Sequence, residues 1–324
     1  MLTSHRRGLS LSEARPSGTH LANAASSRLG RILILGSTGQ VGRELQRAFA
    51  GAGEVTCCDR QQADLANPNQ LRSRIRAVAP SVILNAAAYT AVDRAETEGE
   101  VAAAINTHAP CVLAEEARRL GALLVHYSTD YVFDGSREIP LIESDQTNPL
   151  NVYGATKLAG EQAIIAVGGK HLILRTSWVY GPHGKNFLLT MLRLGRERDQ
   201  LRIVNDQTGS PTTSFAIAEA TRTLVDRALS SPGPPEDWAG LYHMTCSGAT
   251  TWAGFARAIF EQAGSMLGER VPEVIPIESK DYPTPATRPH YSVLSNEKLF
   301  ERFGVRLPPW TDGLRAALDQ LRSA

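Results

Sequence analysis

Residues 31–50 read RILILGSTGQVGRELQRAFA, and this stretch decides the fold. Ile32–Leu35 is an unbroken apolar run, which as a strand would be buried on both faces. A glycine cluster follows, then a helical pattern with Val41, Leu45, Ala48 and Phe49 on one side. Gly51 and Gly53 stop that helix. The turn itself, GSTGQVG, carries Thr38 and spaces Gly36, Gly39 and Gly42 evenly. Gly36 permits the tight turn. Gly39 has no side chain to hold a pyrophosphate off the backbone, and Gly42 lets helix and strand approach. The helix N-terminus then offers free N–H groups and partial positive charge to phosphates.

A bare glycine pattern more often makes only a turn. Here the strand–turn–helix context is right, and Asp59 stands about twenty positions on, at the end of a second strand. The combination predicts a dinucleotide site. Asp59 suits a ribose hydroxyl and NAD, whereas Arg60 beside it suits a 2′-phosphate, so NADH and NADPH both stay open.

The rhythm continues. Glu54–Cys58 and Val82–Asn85 read as strands, and Ala86, Ala87 and Ala88 follow the second as a small-residue turn. Val101–Leu120 reads as one long helix, Leu123–Tyr127 as a fifth strand, Tyr153–Ala166 as a helix and Leu172–Leu174 as a sixth strand. Strands alternating with helices argue for an α/β protein with a Rossmann-type doubly wound parallel sheet and right-handed crossovers. After Trp178 the pattern loosens. Asn186–Arg196, Phe215–Ala228, Thr251–Ala263 and Gly313–Arg322 look helical, and Leu201–Val204 looks extended. SSPGPPEDWAG (230–240) is an exposed loop, and PTPATRP (283–289) is extended. We expect a dinucleotide-binding domain over 31–178, with 213–244 returning to it. A smaller, discontinuous substrate-binding α/β subdomain is expected from 179–212 and 245–324. Residues 1–30, rich in Ser, Ala and Arg with one acid, are expected to be a disordered extension.

Composition narrows the function. Lys plus Arg is 34 against 33 for Asp plus Glu, a net charge of +1, which gives no overall attraction to nucleic acid or an anionic membrane. The apolar runs are far too short to span a bilayer. The four cysteines show no metal-ligand spacing, which fits free thiols in a reducing compartment and a cytoplasmic location.

The cofactor edge gains further candidates. Asp64 and Leu65 follow a short loop and could rim the adenine, with a helix cap as the alternative. Ala86–Ala88 end a strand on the carboxyl edge where ligands bind in open α/β sheets. HYSTDYVFDG (126–135) brings Thr129 out at the same edge, 24 residues before Tyr153. In NVYGATKLAGE (151–161), Tyr153 and Lys157 lie one helical turn apart. A free phenol titrates near ~10. A nearby ammonium and an oxidised nicotinamide are expected to lower that value. This is equipment for moving hydride between a nicotinamide and a carbonyl while a proton goes to the oxygen. Tyr153 is the acid, Lys157 tunes and positions, and Thr129 orients.

The strings GSTGQVGRELQ, NAAAYTAVDRAE, HYSTDYVFDG, PLNVYGATKLAGE, RTSWVYG, NDQTGSPT, GLYHMT and YPTPATRP occur in this order. Together they resemble the dTDP-4-dehydrorhamnose reductase family of extended short-chain dehydrogenases/reductases, over roughly residues 31–322. The resemblance implies NAD(P)H-dependent reduction of the C4 ketone of dTDP-4-dehydro-L-rhamnose. It implies a catalytic trio of Thr129, Tyr153 and Lys157. Gly39, Gln40, Val41, Asp59, Asp64, Leu65, Ala86–Ala88, Tyr127, Tyr153 and Lys157 would touch the cofactor, and Thr129, Asp130 and Trp178 the sugar nucleotide. Asn186, Gln207 and Arg288 are further substrate candidates, the guanidinium suiting a diphosphate.

One departure stands out. Some members of the family form dimers bridged by a divalent cation held by glutamates. Glu44 fits one such position, but Phe215 and Gln320 stand at the others. We therefore expect no structural metal and a monomer or weak homodimer. Among rivals, a sugar-nucleotide 4,6-dehydratase needs an Asp-Glu pair after the threonine, and here Asp130 is followed by Tyr131. An NAD-dependent 4-epimerase stays open, as does a non-catalytic nucleotide-binding subunit of the same fold.

Overall fold

The computed structural model describes residues 1, 29–268 and 271–323. Six parallel strands form the main sheet: β1 (Arg31–Leu35), β2 (Glu54–Cys58), β3 (Val82–Asn85), β4 (Leu123–Thr129), β5 (His171–Thr176) and, after β6 (Gln200–Val204), which belongs to a separate sheet, β7 (Gly240–His243). Their order is β7-β5-β4-β3-β1-β2. The chain therefore winds outward in two directions from β1, and the crevice between β1 and β3 is the topological switch point. The strands read as fifth and sixth are thus the fourth and fifth; the sixth is Gly240–His243, to which the sequence reading gave no strand of its own.

Alternate residues of the central strands face opposite cores. Ile32, Ile34, Val82 and Leu84 pack beneath α1 (Gln40–Ala48), while Leu33, Leu35 and Ile83 pack beneath α2 (Pro68–Val78). The second layer also holds α3 (Ala109–Leu120) and α4 (Val152–Val167), through Leu113 and Ile164. Every one of these strand residues is fully buried, and each such side chain contributes roughly 2 kcal/mol by leaving water.

The long helix expected over Val101–Leu120 is interrupted. An α-turn, Gly99–Ala103, leads into a π-helical stretch, Ala104–His108, before α3 begins. Further elements were not anticipated, the helix Glu297–Phe303 among them. One is α2, capped by Asn67, whose side chain accepts from the Gln70 amide. Another is β8 (Glu273–Ile277), which pairs parallel with β6. Leu29 is already in the first core and its amide donates to the Ala52 carbonyl at 2.7 Å, so order begins before residue 31. Residues 2–28 of the expected N-terminal extension lie outside the described residues.

A second core gathers Leu188 and Met191 of α5 (Phe187–Glu197), Phe255 and Ile259 of α7 (Trp252–Ala263) and Leu314 and Leu318 of α9 (Trp310–Arg322). Between them, α6 (Ser214–Ser230) returns to the main sheet and lays Ile217, Leu224 and Val225 into the first core beside Leu45 and Phe49 of α1. A short helix, α8 (Glu297–Phe303), closes that side, with Leu299 and Phe303 in the same core. Among the described residues no helix is long and apolar enough to cross a membrane.

Candidate active site

The register of β1 with β2 and β3 sets Leu35 beside both Cys58 and Asn85. Gly36, Asp59 and Ala86 therefore leave the sheet together at its carboxyl edge. Gly36 adopts φ +73°, and a Cβ there would meet the Ala87 nitrogen at 2.7 Å. A Cβ on Gly42 would come within 2.1 Å of the Gly36 carbonyl oxygen. Both positions therefore require glycine. Gly39 opens α1 as its N-cap with no side-chain cap, so the first amides of α1 keep no internal side-chain partner. Thr38 and Gly39 are exposed, and Gln40 and Val41 half-buried, at this mouth. A cradle that a single Cβ would fill, at a helix N-terminus on the switch point, fits a dinucleotide pyrophosphate.

Asp59 folds its carboxylate back, Oδ1 accepting from the Gln61 and Gln62 amides at 2.9 and 3.1 Å. The exposed Arg60 leans to Asp64 at 3.7 Å. Asp64 also accepts from the Ala66 amide, and Leu65 is buried with Leu71 and Ile75 of α2. Ala86, Ala87 and Ala88 are half-buried beside the glycine turn.

The trio comes from β4 and α4. Thr129 ends β4, and its Oγ1 accepts from the Tyr131 amide at 3.1 Å and donates to Asp130 Oδ1 at 3.1 Å. Asn151 caps α4, its Oδ1 accepting from the Gly154 amide at 2.8 Å. Gly154 is needed because a Cβ there would sit 2.2 Å from the Tyr131 carbonyl oxygen. That close approach seats the first turn of α4 on the turn after β4. Thr129 lies near enough to the Tyr153 phenol to influence its titration, and the Tyr153 ring meets that of Tyr131 edge-on at 5.8 Å. Lys157 is buried, and its Nζ donates to the Tyr127 carbonyl at 2.6 Å and lies 3.1 Å from His126 Nε2.

The electrostatics correct one expectation. Burial pushes the Tyr153 phenol up to about 12, the Thr129 hydrogen bond opposing this and the Asp130 charge adding to it. The lysine does not lower it, because its amino group is turned to β4 rather than to the phenol. Burial also pushes the Asp130 carboxyl up to about 7, against hydrogen bonds from Ser292 and Thr129, and its Oδ2 is buried without a partner. Lys157 is lowered to about 8 by burial, with Glu161 opposing.

Other expected contacts are spent internally. The Tyr127 ring lies in the first core and its hydroxyl bonds Thr221 Oγ1 of α6 at 2.8 Å, so the side chain faces away from the cofactor edge. Asn186 caps α5 and donates to Gln40 Oε1 at 2.8 Å and to the Gly181 carbonyl at 2.9 Å. Gln207 Nε2 donates to Ser279 Oγ at 2.8 Å, and its Oε1 accepts from Trp252 Nε1 at 3.1 Å. The Arg288 guanidinium donates to Asp93 Oδ2 and the Ala286 carbonyl, both at 2.9 Å, joining the 283–289 segment to the helical turn Val92–Ala95. Asn186 and Arg288 thus tie the second half of the chain to the first, Gln207 bonds residues of the second half, and all three are engaged within the protein.

Trp178 differs. Its backbone has φ +46°, a strained region for a bulky residue, costing about 1–3 kcal/mol. Its indole stacks on Trp252 with ring centroids 3.5 Å apart and planes 4° from parallel. Trp252 was not anticipated, nor were Asn85, Asn106 and the Glu161–Arg175 pair. Asn106 sits in the π-helical stretch, fully buried, its side chain bonding both the Tyr89 amide and carbonyl and Thr156 Oγ1. Glu44 is buried against Arg47 at 3.1 Å, and among the described residues no group of three or more His, Cys, Asp or Glu could hold a metal ion.

Comparison with known proteins places this geometry among characterised chains. The family model described as the RmlD substrate binding domain matches residues 30–323. A dTDP-4-dehydrorhamnose reductase of Burkholderia thailandensis is 48% identical over 283 residues, covering 86% of this chain and 95% of that protein. The enzyme of the same name from Escherichia coli K12 is 46% identical over 297 residues, covering 90% and 97%. Among solved structures, dTDP-4-dehydrorhamnose reductase from Bacillus anthracis, in complex with NADP, superposes with TM-score 0.83 at 34% identity, over 90% of this chain and 99% of that one.

Proposed function

The chain belongs to the family of the RmlD substrate binding domain, that of the dTDP-4-dehydrorhamnose reductases, and we propose that it uses NAD(P)H to reduce the C4 ketone of dTDP-4-dehydro-L-rhamnose, giving dTDP-L-rhamnose. The observation that carries this reading is the meeting of Tyr153, Thr129 and Lys157 at the carboxyl edge that also bears the glycine cradle. Bound NAD(P)H supplies the hydride. Gly36, Gly39 and Gly42 with the first amides of α1 take its pyrophosphate, Asp59 its adenosine ribose, and Ala86–Ala88 line its path across the edge. Tyr153 gives its phenolic proton to the developing C4 alkoxide, and Thr129 aligns that oxygen through a hydrogen bond. Asp130 borders the sugar. Trp178, stiffened by Trp252, offers a flat face to it.

The discontinuous two-unit organisation, with 213–244 returning to the sheet, is part of the reading. So are a cytoplasmic location, where nucleotide sugars and NAD(P)H are at hand, and a monomer or weak homodimer. Phe215 packs against the core and Gln320 is uncharged, which supports the last point.

The test is an assay with dTDP-4-dehydro-L-rhamnose in which NADH and NADPH absorbance are followed separately. Loss of either, with dTDP-L-rhamnose formed, is expected. Consumption of neither, with NAD⁺ retained by the purified protein, would favour the 4-epimerase. Replacing Lys157 by methionine is expected to weaken cofactor affinity about tenfold as well as to slow turnover, because the last N–H on Nζ is free for the nicotinamide ribose. Fluorescence titration with NADPH measures this, and an unchanged Kd would remove the ribose contact.

A further inference from the structure

His126 lies within β4, fully buried, and the proposed reaction gives it no task. Its ring joins two other fully buried polar side chains. Asn85 Nδ2 is 3.0 Å from His126 Nδ1, and His126 Nε2 is 3.1 Å from Lys157 Nζ. Backbone groups fix both ends: the Ala87 N–H donates to Asn85 Oδ1 at 3.3 Å, and Lys157 Nζ donates to the Tyr127 carbonyl at 2.6 Å.

The donors and acceptors of this chain close in one way. The Ala87 amide can only donate, so the Asn85 atom facing it is the oxygen. The Asn85 amino group is left facing Nδ1, and it too can only donate. Nδ1 therefore accepts, and the single proton of a neutral imidazole sits on Nε2. That proton points at Nζ, which can receive it only through a lone pair. An ammonium has none. A doubly protonated ring fails at the Asn85 end, and burial already holds the imidazole well below its usual range.

We propose that Asn85 and His126 are positioning residues that hold Lys157 as an uncharged amine in the cofactor-free enzyme, through a relay that begins at the Ala87 amide. A neutral amine satisfies every contact: its lone pair accepts from Nε2–H, one N–H goes to the Tyr127 carbonyl, and one remains for the cofactor. Charging Lys157 requires the Asn85 amide to turn over, which leaves the Ala87 N–H facing an amino group. The lysine's charge is thereby coupled to a backbone amide on the rim assigned to the cofactor.

The surroundings permit this. Glu161 faces Lys157 from its own helix, but Arg175 of β5 holds both its oxygens and Ser128 donates to one of them. The π-helical stretch offers α4 the uncharged Asn106 and Thr107. Tyr127 and Tyr131, Tyr153 of α4 and Asp130 after β4 are further titratable groups, and burial raises all four. Burial, with Glu161 opposing, lowers Lys157 to about 8, and the relay takes it lower.

The inference rests on the functional reading only for the place of Lys157 in catalysis, and its test needs neither substrate nor turnover. In ¹⁵N-histidine-labelled, cofactor-free protein, long-range ¹H–¹⁵N spectra show which ring nitrogen of His126 is protonated, the signal being assigned by its loss in His126→Gln. In ¹³C-lysine-labelled protein, the Lys157 signal is assigned by its loss in Lys157→Met and titrated with pH. The expected results are a proton on Nε2 and a Lys157 midpoint below about 8. Asn85→Asp places a carboxylate against Nδ1, draws the ring proton there, and makes Nε2 an acceptor for an ammonium. The Lys157 midpoint should then rise by about one pH unit or more. A wild-type ring proton on Nδ1, a Lys157 titrating with the surface lysines, or a folded Asn85→Asp with an unmoved midpoint would each overturn the proposal. If Asn85→Asp does not fold, the wild-type tautomer decides alone. Loss of activity with all three readouts as expected would fault the functional reading instead.

Discussion

Tyr153→Phe is expected to lower kcat by about 10²–10⁴-fold while leaving NADPH affinity unchanged, because the substitution deletes one hydroxyl and keeps the ring. The ring packs edge-on against Tyr131 and should stay in place. A phenol held near 12 by burial remains protonated throughout the neutral range, which suits a donor in the reductive direction. The sign follows directly. Proton donation from Tyr153 is available at neutral pH and should fade only as the pH climbs towards that raised value. An acid limb to the rate profile would have to come from another group, and Asp130, with its carboxyl near 7, is the nearest candidate. Single-turnover reduction by Tyr153→Phe, with cofactor binding measured in parallel, checks the assignment. Near-normal turnover would move the proton donor elsewhere.

The second large effect concerns folding rather than chemistry. Glu161 and Arg175 form a bidentate ion pair at 2.7 and 2.9 Å, with side chains only 2% and 4% exposed. Glu161→Leu leaves the guanidinium charged and uncompensated beneath β4, and its Nη1 already lacks a partner. Breaking a buried pair from one side costs about 3–5 kcal/mol, which corresponds to a fall in Tm on the order of 10 °C. Replacing both members, Glu161→Leu with Arg175→Met, should recover much of that loss, since the desolvation of both charges disappears with them. Thermal unfolding of the two variants measures the difference. A single variant as stable as the parent would show that water reaches the site and screens the lone charge.

The part of the fold visible in the sequence is the part buried on both faces. Val82–Leu84 and Ile32–Leu35 are continuous apolar runs because cores lie above and below them. By contrast, α2 buries only Leu71 and Ile75, so its apolar period is carried by two residues, although Asn67 and Pro68 mark its start. The pairing of β8 was hidden by Pro276, a residue that weakens any strand reading. The π-helical stretch at Ala104–His108 leaves no trace in a pattern read at 3.6 residues per turn. The grouping of Thr129, Tyr153 and Lys157 was legible because its spacing is local and its order follows the strands. The partners of Asn186, Gln207 and Arg288 were not. Asn186, Gln207 and Arg288 announce what they can bond, but their partners Gln40, Trp252 and Asp93 lie far off in the chain, and only the fold brings them together. His126 was in plain view beside Thr129, yet nothing local hints that Asn85 and Lys157 meet on it.

The return of α6 and Gly240–His243 to the main sheet has an evolutionary corollary. A gene fragment ending at Trp178 would encode β5 as a bare edge and α1 without the Ile217, Leu224 and Val225 that cover Leu45 and Phe49. Such a fragment should not fold. A C-terminal cassette exchanged at Trp178 would therefore have to bring its own edge strand for β5 and a helix whose apolar face fits α1.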